Sequence, residues 1–278
     1  MPKRKAQQQH DSCKLQQRGP EPSGPAGRKA LLTFAPFCAA RQAVLLRRKG
    51  GLPQEQWTTD PILARAKFCN IDRRDDAVTA ELLAEVAAHV GWELKEKVLL
   101  ALALRFSGSR RGEAAALAVL IESGRKPDER VRSKSPLQLA FAADEVRCGS
   151  GTYQLSLNRR QVATVIESTA AAVVERVGAH GPFEDVLEAS NFVATCMTVG
   201  KRPQFSANEA AKDFAYVDGL MLPASHHRCH LGPGAKKGLQ LVRASEGDAL
   251  GIGKGSTDDA AVAVLRGQLR AIPSLAWV

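Results

Sequence analysis

Residues 159–178 read RRQVATVIESTAAAVVERVG and carry the clearest helical period in the chain. Side chains that recur every three or four residues share one face of a helix. In this segment such a stripe contains Val162, Val165, Ile166, Thr169, Val173 and Val177. Alanine-rich stretches elsewhere lack the alternation of a strand and favour helix as well. The sequence therefore predicts an all-α fold.

The boundaries of the helices follow from proline, glycine and capping residues. The first helix is expected to begin near Pro36, which suits a first helical turn, and to end at Arg48 before two glycines. Further helices are expected at about 61–70, 75–90, 92–106, 111–122, 136–146, 159–178, 182–197, 206–220, 235–244 and 257–270. Residues 123–135 are expected to form a basic loop.

The first 28 residues differ in composition from the rest of the chain. They are rich in Gln, Pro, Gly and basic residues, which predicts a disordered tail. Residues 29–278 are expected to form one helical domain. The cluster Lys3, Arg4, Lys5 is typical either of nuclear import or DNA tethering, or simply of a solvated terminus.

The chain is basic, with 39 Lys and Arg residues against 29 Asp and Glu residues and a formal charge of +10. The tail supplies about half of this excess, so the folded part is basic too. Such an excess attracts nucleic-acid phosphates without conferring sequence preference. Plain solubility explains the same charge equally well.

The six cysteines show no CxxC spacing, so the sequence suggests neither a zinc ribbon nor a redox dithiol. The apolar stretch 30–40 is too short to span a bilayer and does not resemble a cleaved signal. We therefore expect a protein that is not secreted, nuclear in a eukaryote and otherwise cytoplasmic. We expect no metal, no cofactor and no membrane partner, and the oligomeric state stays open.

The segment 57–76 combines aromatic, amide and charged side chains at close spacing. Asp60 or Thr59 can cap a helix that begins at Pro61. An amide such as that of Asn70 matches the edge of a base, and Arg73 can hold a phosphate. Trp57 and Phe68 can stack on an extruded base. Alternatively, the two aromatics belong to the core, Asn70 is a cap, and Arg73 pairs with Asp75 or Asp76.

A second block begins at residue 204 with QFSANEAAKDFAYVDG. Glu209 and Asp213 are four residues apart and so project from one helix face. Two carboxylates on one face can deprotonate an amine or bind its ammonium form. A solvated helix face is the commoner explanation of such a pair.

A glycine-rich stretch, LGPGAKKGL, occupies residues 231–239 and is typical of a helix–hairpin–helix turn. Glycines bring backbone N–H groups near a phosphate, and Lys236 and Lys237 would lie in the first turn of the following helix. The sequence GIGKGS at 251–256 lacks the residues of a nucleotide-binding phosphate loop. A capped helix start at Ser256 or Thr257 explains it better, with a second hairpin contact to DNA as the alternative.

Three motifs together resemble the α-glutamyl/putrescinyl thymine pyrophosphorylases, also called amino-acid:DNA transferases. They are Arg41 with Val44, WTTDPIL at 57–63 followed by FCNIDRRDD at 68–76, and GPGAKKGL at 232–239. The resemblance implies a fold similar to helix–hairpin–helix DNA glycosylases. It also implies transfer of an amino acid or polyamine to the 5-methylene of phosphorylated or pyrophosphorylated 5-hydroxymethyluracil in DNA.

For such a reaction we hypothesise roles for individual residues. The catalytic candidates are Asn70, Arg73, Asp76 and Asp213, and either Asp76 or Asp213 would orient and deprotonate the amine. DNA and co-substrate would be bound by Arg41, Trp57, Thr59, Asp60, Phe68, Glu209, Gly232, Gly234, Lys236 and Lys237. This interpretation requires the segment around Asn70 and the late glycine hairpin to line a common basic cleft.

Two alternatives share the helical fold. A DNA glycosylase would release free base, although the expected aspartate soon after the hairpin is missing, since the next one is Asp248. A DNA-binding module without catalysis would bind duplex in a salt-sensitive way after loss of Asn70, Arg73 and Asp213.

Overall fold

The computed structural model describes residues 29–65, 72–106, 113–124, 135–142, 159–197, 203–223, 228–248, 250–253 and 255–270. Over these residues the protein is helical without a β-strand, which confirms the predicted all-α class. One parallel bridge joins Phe183 and Met221. In the part described, no helix is long and apolar enough to cross a membrane.

Eleven α-helices lie within the described ranges. The first six are α1 (Lys29–Lys49), α2 (Pro61–Arg65), α3 (Ala77–Ala88), α4 (Leu94–Phe106), α5 (Ala114–Gly124) and α6 (Pro136–Ala142). The other five are α7 (Arg159–His180), α8 (Val186–Cys196), α9 (Pro203–Phe214), α10 (Pro233–Glu246) and α11 (Asp258–Arg270). Short 3-10 turns at Gln54–Gln56 and Arg73–Asp75 precede α2 and α3.

Helix α4 lies at the centre of the core. Its sequence VLLALALRF is apolar on every side, which is typical of a fully buried helix. Residues 100–103 are wholly inaccessible, and α4 packs against α3, α5, α7 and α9. Helices α8 and α9 pack closely on each other and complete this core. The central helix thus places its C-terminal end beside α3 and α9.

A smaller apolar cluster joins α10 to α11. Leu239, Ile252 and Ala261 form its buried part. Ile252 comes from the short connection between the two helices and has no exposed surface. Arg243 of α10 donates to the Asp258 carboxylate of α11, at 2.7 Å. The burial of Ile252 therefore fixes the connection, and an ion pair joins the two helices.

Some predicted boundaries are wrong. Helix α1 begins at Lys29 and contains Pro36, although an interior proline removes one backbone hydrogen bond of the helix. Helix α9 ends at Phe214 instead of continuing to residue 220. Turn hydrogen bonds follow, and Gly219 has a positive φ of 84°. Side chains with a Cβ disfavour this left-handed conformation.

The predicted helix–hairpin–helix turn at 231–239 is also wrong. Residues 228–232 are not helical, and the preceding described helix, α9, ends at Phe214. Gly232 instead caps the N-terminus of α10, with Pro233 at its first position and Gly234 next. A short hairpin between two helices occurs one helix later, between α10 and α11. Thr257 accepts the backbone N–H of Ala260 there, so the predicted capped start at Ser256 or Thr257 is confirmed.

The core is expected to be sensitive to the loss of a single methyl group. Ile166 is completely buried on α7. Ile166→Val should therefore lower the free energy of unfolding by about 0.5 to about 1.5 kcal/mol. The matched control is Ile62→Val, since Ile62 is 65% exposed. Its expected change is about 0.5 kcal/mol or less. Urea unfolding of both variants measures the difference, and equal losses would contradict this description of the core.

Candidate functional site

The N-terminal wall of the site is a 3-10 turn that leads into α3. Asp72 accepts the backbone N–H of Arg74 at 2.8 Å and starts the turn. Asp76 accepts the backbone N–H of Thr79 at 3.2 Å and starts α3. Aspartate favours both positions because its carboxylate satisfies backbone donors that a helix start leaves unpaired. Two consecutive caps thereby fix the direction of Arg73, which lies between them.

Arg73 reaches across to α9. Its Nη1 donates to Glu209 Oε2 at 2.7 Å and its Nη2 donates to the Glu209 carbonyl oxygen at 3.2 Å. Its Nε donates to Asp213 Oδ1 at 3.2 Å. Arg73 therefore pairs with α9 rather than with the neighbouring Asp75 or Asp76. Asp75 instead accepts from Gln42 and Lys49 of α1.

Arg105, near the end of α4, lies at the centre of the site. Its Nη2 donates to Asp76 Oδ1 at 2.9 Å, to Thr79 Oγ1 at 2.8 Å and to Asp213 Oδ1 at 3.1 Å. Its Nε donates to the other oxygen of Asp213. The Thr79 hydroxyl also donates to Asp213 Oδ1, at 2.8 Å. The side chains of Arg105 and Asp213 are 3% and 1% exposed, so this pair is shielded from water.

We call this assembly the carboxylate–guanidinium cluster. Its members come from four elements of the fold and are Arg73, Asp76, Thr79, Arg105, Glu209, Lys212 and Asp213. Lys212 completes it through a 2.6 Å ion pair with Glu209. Three cationic side chains thus meet three carboxyl groups.

Opposite charges keep these groups ionised despite burial. Burial would raise the pKa of Asp76, but the positive charge and hydrogen bond of Arg105 outweigh it and hold the pKa below its ordinary value. Burial would likewise raise the pKa of Glu209, and Lys212 and Arg73 lower it instead. Burial alone would lower the pKa of Arg105, but Asp213 and Asp76 raise it above its ordinary value.

The cluster has a buried side and an open side. Asp213, Thr79 and Arg105 lie on the buried side. Asp76 is 35% exposed at its side chain, and Arg73 and Lys212 are 21% and 32% exposed. A molecule that approaches from solvent therefore meets one carboxylate and two cations.

Four of the predicted site residues come together here, namely Arg73, Asp76, Glu209 and Asp213. The carboxyl groups of Glu209 and Asp213 are buried, so the explanation of a solvated helix face is wrong for this pair. Asn70 and Phe68 lie outside the described residues.

The remaining predicted residues have other surroundings. The indole N–H of Trp57 donates to the Leu52 carbonyl oxygen at 2.7 Å, and the ring is half-buried. Asp60 caps α2 by accepting from the backbone of Ile62 and Leu63, which confirms the predicted cap. Thr59 is exposed, and Arg41 is buried in α1.

Lys236 and Lys237 are exposed in the first turn of α10. Within the ranges the structure describes, no hydrogen bond or ion pair links them, Gly232 or Gly234 to the cluster. Helix α1 connects the two regions indirectly, since it contacts α10 and also binds Asp75. The common basic cleft stays a prediction.

Arg105 and Thr79 were missed from sequence. A signal for Arg105 exists, because it is the one charged residue in the run VLLALALRF. A charge inside a buried helix must be paired. Thr79 carries no such signal, since a threonine in the first turn of a helix is common.

The described part of the chain has no group of three or more His, Cys, Asp and Glu side chains arranged to hold a metal ion. The fold and the cluster define an all-helical protein with buried ion pairs that join two distant segments of the chain.

Residues 28–106 match a family described as "5-hmdU DNA kinase, helical domain", where hmdU stands for hydroxymethyldeoxyuridine. The match covers about a quarter of the chain and contains Arg73, Asp76 and Arg105, while Glu209 and Asp213 lie beyond it. It relates this segment to enzymes that modify 5-hydroxymethyluracil in DNA. No curated protein and no solved structure matches the chain, so the glycosylase-like architecture stays a prediction.

The charges of the cluster should make stability depend on pH. Glu209→Gln is expected to lower stability at neutral pH and to flatten the acid side of the curve. The folded-state pKa of Glu209 is lowered. Its contribution is therefore complete above the unfolded value of about 4.3 and is lost as pH falls through the folded value. Urea unfolding between about pH 6 and about pH 3 measures this slope.

The matched control for this experiment is Glu55→Gln, on an exposed turn. It should leave the shape of the stability curve unchanged. Parallel curves for the wild type and Glu209→Gln would contradict the role of Glu209 in the cluster.

Proposed function

We propose that this protein is a DNA base-hypermodification transferase. The amine nitrogen of an amino acid or polyamine attacks the 5-methylene carbon of a phosphorylated or pyrophosphorylated 5-hydroxymethyluracil. A carbon–nitrogen bond forms, the carbon–oxygen bond to the leaving group breaks, and phosphate or pyrophosphate departs. The attacking nitrogen gives up one proton.

One observation carries the proposal, and it concerns the two oxygens of Asp76. Within the described residues, every hydrogen bond to the Asp76 side chain uses Oδ1. Oδ2 accepts no hydrogen bond among the described contacts, and the Asp76 side chain is 35% exposed. Asp213, by contrast, is buried and uses both oxygens for Arg73, Thr79 and Arg105. Asp76 is therefore the carboxylate that holds the amine, and Asp213 supports the site from inside.

A carboxylate of lowered pKa is a weak base but a good partner for an ammonium group. The bound ammonium group first loses one proton to solvent, because attack requires a free lone pair on nitrogen. Asp76 orients the resulting amine and accepts its next proton as the carbon–nitrogen bond forms and the nitrogen becomes acidic. In this mechanism the group that accepts the proton, Asp76, is also the group that contacts the co-substrate.

The cations on the open side suit the leaving phosphate. Arginine has five N–H groups, and three hydrogen bonds of Arg73 serve Glu209 and Asp213. Nη2 also lies 3.2 Å from Asp213 Oδ1, so among the described contacts one N–H group, on Nη1, stays available for a phosphate oxygen. Lys212 adds a charge nearby. Fixed cations that face a developing negative charge stabilise a transition state strongly.

The target base must leave the duplex, because its 5-substituent has to meet a second substrate. We assign the uracil edge to Asn70 and stacking to Trp57 or Phe68. Lys236 and Lys237 of α10 are assigned to the DNA backbone. The net positive charge of the chain favours such contacts, because it attracts DNA phosphates without regard to sequence.

A second candidate is phosphorylation of the 5-hydroxymethyl group itself. The name of the family that matches residues 28–106 favours it, since that name describes a DNA kinase. In this case Asp76 Oδ2 would accept the proton of the hydroxyl group as it attacks a phosphoryl donor. Both candidates need the same extruded base and the same open carboxylate.

Nucleoside analysis by mass spectrometry distinguishes the candidates. The protein is incubated with DNA that contains phosphorylated or pyrophosphorylated 5-hydroxymethyluracil and a mixture of amino acids and polyamines. A parallel reaction contains 5-hydroxymethyluracil DNA and ATP. The proposal expects an amine adduct in the first reaction. A phosphorylated nucleoside in the second supports the kinase, free base indicates a glycosylase, and unchanged DNA in both reactions contradicts the proposed chemistry.

DNA binding through α10 has its own expected signature. Lys236→Gln with Lys237→Gln should reduce the slope of log affinity against log salt by about one per lysine removed, because each lysine releases counterions. Fluorescence anisotropy at several salt concentrations measures the slope. Lys95→Gln, at an exposed position of α4, should leave it unchanged. Equal slopes for the double variant and the wild type would remove α10 from the DNA interface.

A further inference from the structure

Arg105 lies in surroundings that are costly for a charged group. It belongs to the buried helix α4, and its side chain is 3% exposed. Removing a guanidinium from water is unfavourable unless it is paired and hydrogen-bonded. Apolar side chains of similar size often stabilise such a position at least as well as a buried ion pair does. The position of Arg105 therefore suggests a purpose other than stability.

The hydrogen bonds of Arg105 show what that purpose is. One nitrogen, Nη2, contacts Asp76 Oδ1, Thr79 Oγ1 and Asp213 Oδ1. Nε is held by Asp213 Oδ2, which stops the guanidinium from turning. The fork of arginine adds this second contact to Asp213 and so fixes the orientation of the guanidinium, whereas the single ammonium nitrogen of lysine cannot add it.

We infer that Arg105 is a positioning residue, which holds Oδ1 of Asp76 so that Oδ2 faces the substrate. Asp213 and Thr79 act through Arg105 by fixing its orientation. Arg105 itself touches neither the base nor the amine. This inference rests on the proposed role of Asp76.

The cations on the open side do not take this role. Arg73 uses its hydrogen bonds for Glu209 and Asp213, and Lys212 pairs with Glu209. Neither donates a hydrogen bond to the Asp76 side chain among the described contacts. The charges that face Asp76 are Arg105 from α4, Arg73 from the 3-10 turn and Asp213 from α9, with Glu209 and Lys212 behind Arg73.

Two variants test the inference, so that the test remains possible if one of them does not fold. Arg105→Lys keeps the charge, and the double variant Arg105→Met with Asp213→Asn removes one charge of each sign from the buried pair. In both, kcat for amine transfer should fall by about 10²-fold, because a misplaced catalytic group of this kind costs that much. The KM for DNA should stay within about twofold, a smaller change than the kcat effect.

A second readout is the titration of Asp76, which can be measured without activity and compared with the pH–activity profile. Carbon NMR of the side-chain carboxyl groups follows the titration of Asp76. In the double variant the Asp76 pKa should rise, because the opposite charge of Arg105 is gone, and the acid limb of the pH–activity profile should move to higher pH. The matched control is Arg176→Met with Glu188→Gln, which removes an ion pair between α7 and α8. It should leave kcat and the Asp76 titration unchanged.

The outcomes separate the two proposals. A folded variant with wild-type kcat and an unmoved Asp76 titration overturns the positioning role. A wild-type protein that transfers no amine, combined with a raised Asp76 pKa in the double variant, refutes the proposed function and supports the electrostatic hold of Arg105. If the double variant does not fold, Arg105→Lys decides, since a retained kcat in it overturns the inference.

Discussion

Asp213→Ala is expected to lower the free energy of unfolding by about 3 to about 5 kcal/mol, the largest stability effect predicted for this chain. The substitution removes the carboxylate that Arg73, Thr79 and Arg105 share. Arg105 would remain buried beside an empty space, with Asp76 as its remaining carboxylate partner. A buried charge that loses the partner on its buried side costs more than the lost attraction itself. Urea unfolding at neutral pH measures the loss.

The control for this substitution is Asp218→Ala. Asp218 is exposed in the turn that follows α9. Its replacement should therefore change stability by about 0.5 kcal/mol or less. A loss for Asp213→Ala as small as that of the control would mean that the cluster does not hold α4, α3 and α9 together.

Asp76→Asn is expected to reduce the rate of amine transfer by about 10²–10⁴-fold, the usual contribution of a general base. Asparagine caps a helix about as well as aspartate, so α3 should still begin at the same residue. The amide also keeps an oxygen for Arg105, but it can neither hold an ammonium strongly nor accept a proton. Rates are measured by the appearance of the modified nucleoside.

The neighbouring residue provides the control. Asp75→Asn changes a carboxylate that pairs with Lys49 and Gln42 on α1, away from the shared guanidinium of Arg105. It should retain a rate within about threefold of the wild type, far from the loss expected for a catalytic group. Equal rates for both variants would exclude Asp76 from proton transfer.

Most of the helical fold is predictable from the sequence because local rules decide it. The apolar period of α7 and the cap of α2 at Asp60 depend on neighbours within one or two turns. The boundaries fail where competing local signals meet. Pro36 suits a helix start but lies inside α1. The predicted helix runs to residue 220, but α9 ends at Phe214 and is followed by turns in which Gly219 has a positive φ.

The candidate site is only partly predictable, because its defining contacts are long-range. Arg73 and Asp213 are 140 residues apart, and no local rule pairs them. The sequence patterns identified both residues as candidates for the site. For Arg73 they predicted either an ion pair with a neighbouring carboxylate or the binding of a phosphate. The structure adds a third partner, the α9 carboxylates. It also leaves Asp76, rather than Asp213, as the carboxylate that a substrate can reach.

Hydrogen–deuterium exchange with bound DNA tests most directly whether the cluster is the site of base recognition. The protein is compared with two single-stranded oligonucleotides that differ only in 5-hydroxymethyluracil or thymine at one position. We expect added protection of residues 72–79 and 203–216 with the 5-hydroxymethyluracil strand and much less with the thymine strand. Equal protection by both strands, confined to residues 233–253, would contradict it.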